Sequence, residues 1–181
     1  MKKKWFILIG LVVLITIVIF FLVRREKNVN VYEFPETLIV VNHTNQKNVE
    51  TYSKIILSEI YGYDTLKLDI VNRSRDFSTN DIEVVGWIQQ NPYEPHTYMI
   101  FIKKGMSSSS VKNFLSHELI HAHQMELGDL VQLPNQPVVI YKGDTIDFHE
   151  VSYRERPFEI EAIHNQNNIL KKLNYLLYSK K

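Results

Sequence analysis

Apolar side chains recur along most of this chain at two spacings, every second residue in some stretches and every third or fourth in others. Alternation favours strands, and the longer spacing favours helices. Over residues 46–61, for example, Val49, Tyr52 and Ile56 share one helical face, and Gly62 provides a stop. The pattern predicts strands over residues 37–41, 66–71, 81–89, 97–103, 138–141 and 145–148, and helices over residues 46–61, 111–127 and 157–178.

The beginning of the chain has a different pattern. Trp5 to Val23 is a run of 19 residues that is apolar except at Gly10 and Thr16. As a helix it would extend roughly 28 Å, close to the hydrocarbon thickness of a bilayer. Basic residues flank the run and no small-residue cleavage site follows it, which favours a retained anchor over a signal peptide. We therefore expect a single-pass transmembrane helix, with the domain after it outside the cytoplasm.

Composition and charge narrow the function of the remaining chain. We interpret residues 1–27 as the anchor with its basic flanks, 28–36 as a linker, and 37–181 as one folded domain. The net charge is +1 and residues 1–27 carry +5, so the rest carries −4 and gives no support for a nucleic-acid partner. Cysteine is absent, which excludes disulfides and thiolate metal ligands. The oligomeric state is unknown from the sequence.

The strongest chemical signal is the motif H-E-x-x-H at His117, Glu118 and His121. On a helix, positions i and i+4 lie on one face, so both histidines can offer a ring nitrogen to one metal ion. Glu118 lies about 100° around the helix, where its carboxylate can take a proton from a water that the metal activates. A helix with two incidental histidines is the alternative. The motif favours a metal site with Glu118 as the general base.

Catalytic zinc sites generally take three protein ligands and leave one position open. The downstream candidates are His123, Glu126, His149, Glu150, Glu155, Glu159, Glu161 and His164. In the last predicted helix, Glu159 lies on the face of Ala162 and Gln166, at about 100° per residue, whereas Glu161 lies on a polar face. An acid on an apolar face needs a partner, which makes Glu159 the predicted ligand. The alternative is a first-turn glutamate that only favours the helix dipole.

At these residues the chain resembles the zincin superfamily of metallopeptidases. The metzincin pattern would need Gly and His where Gln124 and Leu127 stand. Glu159 and Ala162 instead resemble the E-x-x-A segment from which gluzincins supply a glutamate ligand. Many gluzincins have Asp or Asn at the next position, where it orients a motif histidine, but this chain has Ile163. That supporting role is therefore unfilled or is met elsewhere.

The resemblance implies an α+β zincin-like domain, with a small and mostly antiparallel sheet packed on a buried motif helix and a C-terminal ligand helix. It also implies that the strand before the motif, residues 97–103, edges a cleft and pairs with an extended peptide. Zn²⁺ is the expected metal for a His/His/Glu set. His149 and Tyr153 precede the ligand helix, so either could reach the cleft and donate a hydrogen bond to an oxyanion.

These observations lead to the hypothesis of a membrane-anchored zinc metallopeptidase that acts on a peptide or protein substrate. Zinc held by His117, His121 and Glu159 would activate the attacking water, with Glu118 as the base. One alternative is a membrane-tethered zincin-like binding module without turnover, although pure metal binding has no need of Glu118. The other is a zinc amidase that acts on cell-wall material.

Overall fold

A computed structural model describes residues 32–72, 78–79, 82–83, 85–134 and 136–179 of the chain. The chain divides into two units, one made of residues 34–177 and one made of residues 1–33 and 178–181. Nearly all of the described residues belong to the first unit, which also contains the sequence motif.

The described elements follow one another in a mixed order of strands and helices. The strands are β1 (Leu38–Asn42), β2 (Leu66–Asn72), β3 (Ser78–Thr79), β4 (Ile82–Glu83), β5 (Gly86–Gln90), β6 (Thr97–Ile102), β7 (Leu130–Gln132), β8 (Val138–Tyr141) and β9 (Asp144–Asp147). The helices are α1 (Val49–Lys54), which continues as a π-helical segment (Ile55–Ile60), α2 (Ser108–Glu126) and α3 (Pro157–Ser179). A short 3-10 turn (Tyr153–Glu155) precedes α3.

The main sheet has four strands in the order β1-β2-β6-β5, and its topology corrects the predicted fold class. β1, β2 and β6 run parallel to one another, and β5 runs antiparallel to β6. The expectation of a mostly antiparallel zincin-like sheet is therefore wrong, and the fold is mixed α/β. The reason is the helical crossover between β1 and β2, which returns the chain to the same end of the sheet and makes the next strand parallel.

The strand order also corrects the predicted edge strand. β6, which corresponds to the predicted residues 97–103, lies between β2 and β5 and is hydrogen-bonded on both sides. Among the strands that the structure describes, β5 instead forms the edge nearest in sequence to α2. β3 and β4 form a separate two-stranded ribbon, and β7, β8 and β9 form an antiparallel three-stranded sheet.

No helix in the described ranges is long and apolar enough to cross a membrane. The predicted transmembrane helix, Trp5 to Val23, lies outside the described residues. The prediction of a single-pass membrane protein with an extracytoplasmic domain is therefore wrong as far as the described residues go, because none of their helices could form the span. α3 is the longest of them at 23 residues, but charged side chains such as Lys171 and Lys172 are exposed along it.

The motif helix α2 occupies the centre of the domain. It contacts α1, β5 and β7, and Leu115, Leu119 and Ala122 are fully buried. Burying apolar side chains on more than one side of a helix fixes its position and its rotation. The rotation matters because it decides which way His117 and His121 face.

Local signals set the two ends of α2. Ser107 has an extended backbone and its side chain accepts a hydrogen bond from the Ser110 amide at 3.1 Å, which is a standard N-cap. Beyond the other end, Gly128 has a φ of +74°, a left-handed conformation that terminates helices and that glycine adopts without strain.

A hydrogen bond and an ion pair join the β8–β9 hairpin to α3. Tyr141 donates a hydrogen bond from its hydroxyl to Glu161, and Lys142 Nζ lies 2.8 Å from Glu161 Oε2. Phe158, at the start of α3, is buried and its ring lies 6.0 Å from that of Tyr141. These contacts hold the first turn of α3 against the domain, so that Glu159 lies beside α2.

We predict that Ser107→Ala lowers the free energy of unfolding by about 1 kcal/mol, because the Ser110 amide loses its acceptor. Urea unfolding of the full chain followed by circular dichroism measures this. Ser109→Ala is the matched control and should change stability by less than about 0.5 kcal/mol, as surface substitutions usually do. Equal effects in the two variants would show that Ser107 is not the cap.

Candidate metal centre

Three side chains from two helices converge on one point. His117 and His121 lie one turn apart on α2, and Glu159 lies in the first turn of α3. His117 Nε2 is 3.1 Å and His121 Nε2 is 3.2 Å from Glu159 Oε2, and the two nitrogens are 3.2 Å apart. Tetrahedral zinc with bonds of about 2.0–2.1 Å places its ligand atoms about 3.3 Å from one another. The spacing therefore fits a single zinc ion.

Gln124 determines where the proton on His121 lies. The Gln124 Nε2 donates to the Phe158 carbonyl at 3.2 Å, so its Oε1 is the atom that faces His121 Nδ1, at 2.8 Å. An amide oxygen only accepts, which means that Nδ1 carries the hydrogen. In the neutral imidazole, Nε2 then carries no hydrogen, and its lone pair points at the Glu159 carboxylate. Two lone pairs this close need a cation between them, either a proton or a metal ion.

Burial increases the need for a cation in the cluster, because water cannot reach these groups to screen their charge. Glu118, His121 and Glu159 are each no more than 7% exposed. Burial raises the pKa of Glu159, but hydrogen bonds from His117, His121 and Tyr153 outweigh it and bring this pKa down to about 2. Burial lowers the pKa of His121, while its hydrogen bond to Glu159 and the charge of Glu159 reverse the effect and raise it overall. The site is therefore built around the ionised form of Glu159 and a positive partner.

Glu118 lies beside the three ligands and is not one of them. Its carboxyl is buried, and burial raises its pKa above the ordinary value, although His121 and His117 act in the opposite direction. The backbone amide of Ile88, on β5, donates a hydrogen bond to it. A carboxylate with a raised pKa that is anchored by one donor can accept a proton and release it again.

Gln124 was not among the residues predicted from the sequence. It is buried, three residues after His121, and it links that imidazole to the backbone of α3. Gln124 therefore supports His121, whereas Ile163, at the position where the resemblance expects an Asp or Asn, is apolar and 47% exposed. The only sequence signal was a glutamine on the buried side of the motif helix.

The two predicted oxyanion donors are placed differently. The Tyr153 hydroxyl lies 3.3 Å from His117 Nε2 and hydrogen-bonds to Glu159, and burial with the charge of Glu159 raises its pKa. The phenol therefore stays protonated and can donate. His149 is exposed in the turn after β9, where its backbone amide donates to Asp147, and it is not among the described residues that line the cavity at the cluster.

Three of the other third-ligand candidates, His123, Glu126 and Glu161, have partners outside the cluster. His123 stacks on Tyr61 with ring centroids 4.2 Å apart and contacts the Tyr63 hydroxyl at 2.7 Å. Glu126 accepts from Tyr98 at 2.5 Å on the same side of α2. Glu161 is held by the β8–β9 hairpin, as described above. Among the described residues, His117, His121 and Glu159 are the group of three that could hold a metal ion.

A cavity of about 1260 Å³ opens at the cluster. Its walls come from β5, α2, the 3-10 turn and the first turns of α3, with an apolar lining of Trp87, Ile88, Phe114, Phe148, Ile160 and Ile163. His117, Glu118 and Tyr153 also line it. A cavity with apolar walls and a few converging polar groups is the usual form of a substrate site.

Comparison with known proteins gives no match, since no protein-family model, no curated protein and no solved structure is significantly similar to this chain. The side chains of the candidate metal centre are therefore the observations from which a function can be inferred.

We predict that Glu159→Gln weakens zinc binding by more than the ~10–100-fold expected for loss of a supporting contact, because a charged ligand is lost. Glu161→Gln is the matched control, since Glu161 lies in the same helical turn but is hydrogen-bonded by Tyr141, Lys142 and Gln124 rather than by the three proposed ligands. Chelator competition on the full chain measures both affinities. Metal loss in the Glu161 variant alone would contradict this assignment.

We also predict that Gln124→Ala weakens zinc binding by ~10–100-fold, because His121 Nδ1 loses the acceptor that fixes its tautomer. Gln166→Ala removes a comparable amide, one that donates to the Asn113 carbonyl at 3.0 Å and lines the same cavity without contacting the three ligands. The same competition assay should find the Gln166 variant close to wild type. Equal affinities for wild type and Gln124→Ala would remove Gln124 from the site.

Proposed function

We propose that this protein is a zinc-dependent peptidase that hydrolyses peptide bonds, with Glu118 as the general base. The observation that carries the proposal is the convergence of His117 Nε2, His121 Nε2 and Glu159 Oε2 within 3.2 Å of one another, at the floor of a large cavity. When bound by these three residues, zinc would supply a Lewis acid that polarises the scissile carbonyl and makes water nucleophilic.

Glu118 is positioned for proton transfer. Its carboxylate takes a proton from the attacking water as the carbon–oxygen bond forms, and gives it to the amine as the carbon–nitrogen bond breaks. A raised pKa suits both proton transfers, because Glu118 must hold the proton after taking it from the water and before giving it to the amine. The Ile88 amide keeps the carboxylate in place throughout.

Tyr153 is the residue that we assign to the developing negative charge on the carbonyl oxygen. Its hydroxyl lies at the rim of the cluster, near His117, and the raised pKa keeps it a donor at neutral pH. A donor fixed in advance stabilises the transition state more than the ground state. Its present contact with Glu159 would be exchanged for the substrate oxygen.

β5 is the strand that an extended peptide would pair with. Among the described strands it is one of the two edge strands of the main sheet, and it lines the cavity through Gly86, Trp87 and Ile88. The Ile88 amide donates to Glu118, so a peptide that pairs with this edge at Gly86 would lie beside the general base. A sheet edge binds an extended peptide through hydrogen bonds to its backbone. A glycan has no such backbone, so this edge suits a peptidase better than a glycan-specific enzyme.

We predict that Glu118→Gln in the full chain keeps its zinc but lowers kcat by ~10²–10⁴-fold, because an amide cannot accept the proton. Turnover is measured by mass spectrometry on a random-sequence peptide library with one equivalent of zinc. Glu50→Gln, on α1 and paired with Lys54, is the control and should act like wild type. Zinc binding without any peptide cleavage by the wild-type chain would make the protein a metal-binding module.

A further inference from the structure

The side of β5 that faces away from β6 carries backbone amides and carbonyls at every second residue. β5 pairs with β6 in antiparallel register, with Gly86 opposite Ile102 and Gln90 opposite Tyr98. The Asn91 amide donates to the Thr97 carbonyl at 2.8 Å, just past the end of β5. Because such a ladder alternates, every second residue of β5 directs its amide and carbonyl away from β6. These outward residues are Gly86, Ile88 and Gln90.

The side chain of Gln132 occupies two of these outward groups. The Gln90 amide donates to Gln132 Oε1 at 3.0 Å, and Gln132 Nε2 donates to the Ile88 carbonyl at 3.2 Å. A primary amide that accepts from one residue and donates to the residue two positions earlier reproduces the two bonds that one residue of a parallel neighbouring strand would make. Gln132 is the last residue of β7, so the short second sheet delivers this amide.

Gln132 also stands where two cavities meet. It lines the large cavity at the metal centre, and it lines a smaller cavity of about 240 Å³ beside the far end of β5. Ile88 and Val139 line both cavities, whereas Gln90 and Pro134 line only the smaller one. The smaller cavity thus extends from the large cavity along β5 toward Gln90, and the Gln132 side chain lines it.

We propose that Gln132 is a specificity-determining residue that caps the β5 edge and limits how far a bound peptide extends beyond Ile88. This inference rests on the proposed peptidase function. A peptide can pair with Gly86, but beyond it the Ile88 amide donates to Glu118, and the Ile88 carbonyl and the Gln90 amide are bonded to Gln132. Substrates are therefore cleaved close to one end, because only a short segment fits before Gln132.

The test compares cleavage positions in the random-sequence library for the zinc-loaded full chain and two variants. Wild type should cut within a few residues of one terminus. Gln132→Ala should cut at internal positions as well, and its kcat/KM for peptides lengthened at that terminus should rise about tenfold, the effect of about one to two hydrogen bonds. Gln136→Ala, which removes an amide that lines the smaller cavity, should keep the wild-type positions.

Amide hydrogen exchange tests the cap without any substrate. The Gln90 amide should exchange slowly in wild type and at least about tenfold faster in Gln132→Ala. If Gln132→Ala does not fold, Gln132→Asn serves instead, because it is one methylene shorter and cannot reach both groups.

The outcomes separate this inference from the proposed function. Internal cleavage by wild type, or the same cleavage positions in wild type and the Gln132 variant, overturns the cap and leaves the peptidase standing. Unchanged exchange of the Gln90 amide also overturns the cap. Failure of the zinc-loaded wild type to cleave any peptide overturns the peptidase, and the cap with it.

Discussion

The structure depends on a buried cluster of electron-pair donors that is unfavourable without a cation. Two imidazole nitrogens and a carboxylate oxygen lie within 3.2 Å of one another, and Gln124 forces the hydrogen of His121 onto the nitrogen that faces away from the cluster. Uncompensated charge in such a site costs several kcal/mol. The packing of α2 and the attachment of α3 to the β8–β9 hairpin bring these groups together in spite of that cost, which is the expected arrangement for a metal centre.

The electrostatics of the site are consistent with a divalent ion. As metal ligands the two histidines would be neutral, while Glu159 and the base Glu118 would together contribute up to two negative charges. A Zn²⁺ ion would balance these charges, which burial otherwise penalises. The use of a neutral glutamine to support His121 fits this balance, because an acid in its place would add a third negative charge.

The helical part of the site follows from sequence periodicity. The i, i+4 spacing brings His117 and His121 to one face, and the period of α3 separates Glu159, which is buried, from Glu161, which contacts the hairpin. The amide contacts of Gln124 and Gln132 could not be predicted, because they depend on how α3 and β7 pack against α2 and β5. β7 itself has three residues, too few to show a period.

The sheet shows where a resemblance misleads. The strand–helix–strand order of residues 37–71 was visible in the sequence and favours a parallel pair, as β1 and β2 form. The zincin resemblance instead predicted a mostly antiparallel sheet with residues 97–103 at its edge. That assignment failed because β5 pairs with the outer side of β6 and takes the edge position.

Anomalous diffraction at the zinc absorption edge tests the central claim most directly, on crystals of the full chain grown with one equivalent of zinc. The account predicts one strong peak, about 2.0–2.2 Å from His117 Nε2, His121 Nε2 and a Glu159 carboxylate oxygen. A peak at other side chains, such as His123 or His149, or no peak at the three predicted ligands, would contradict it.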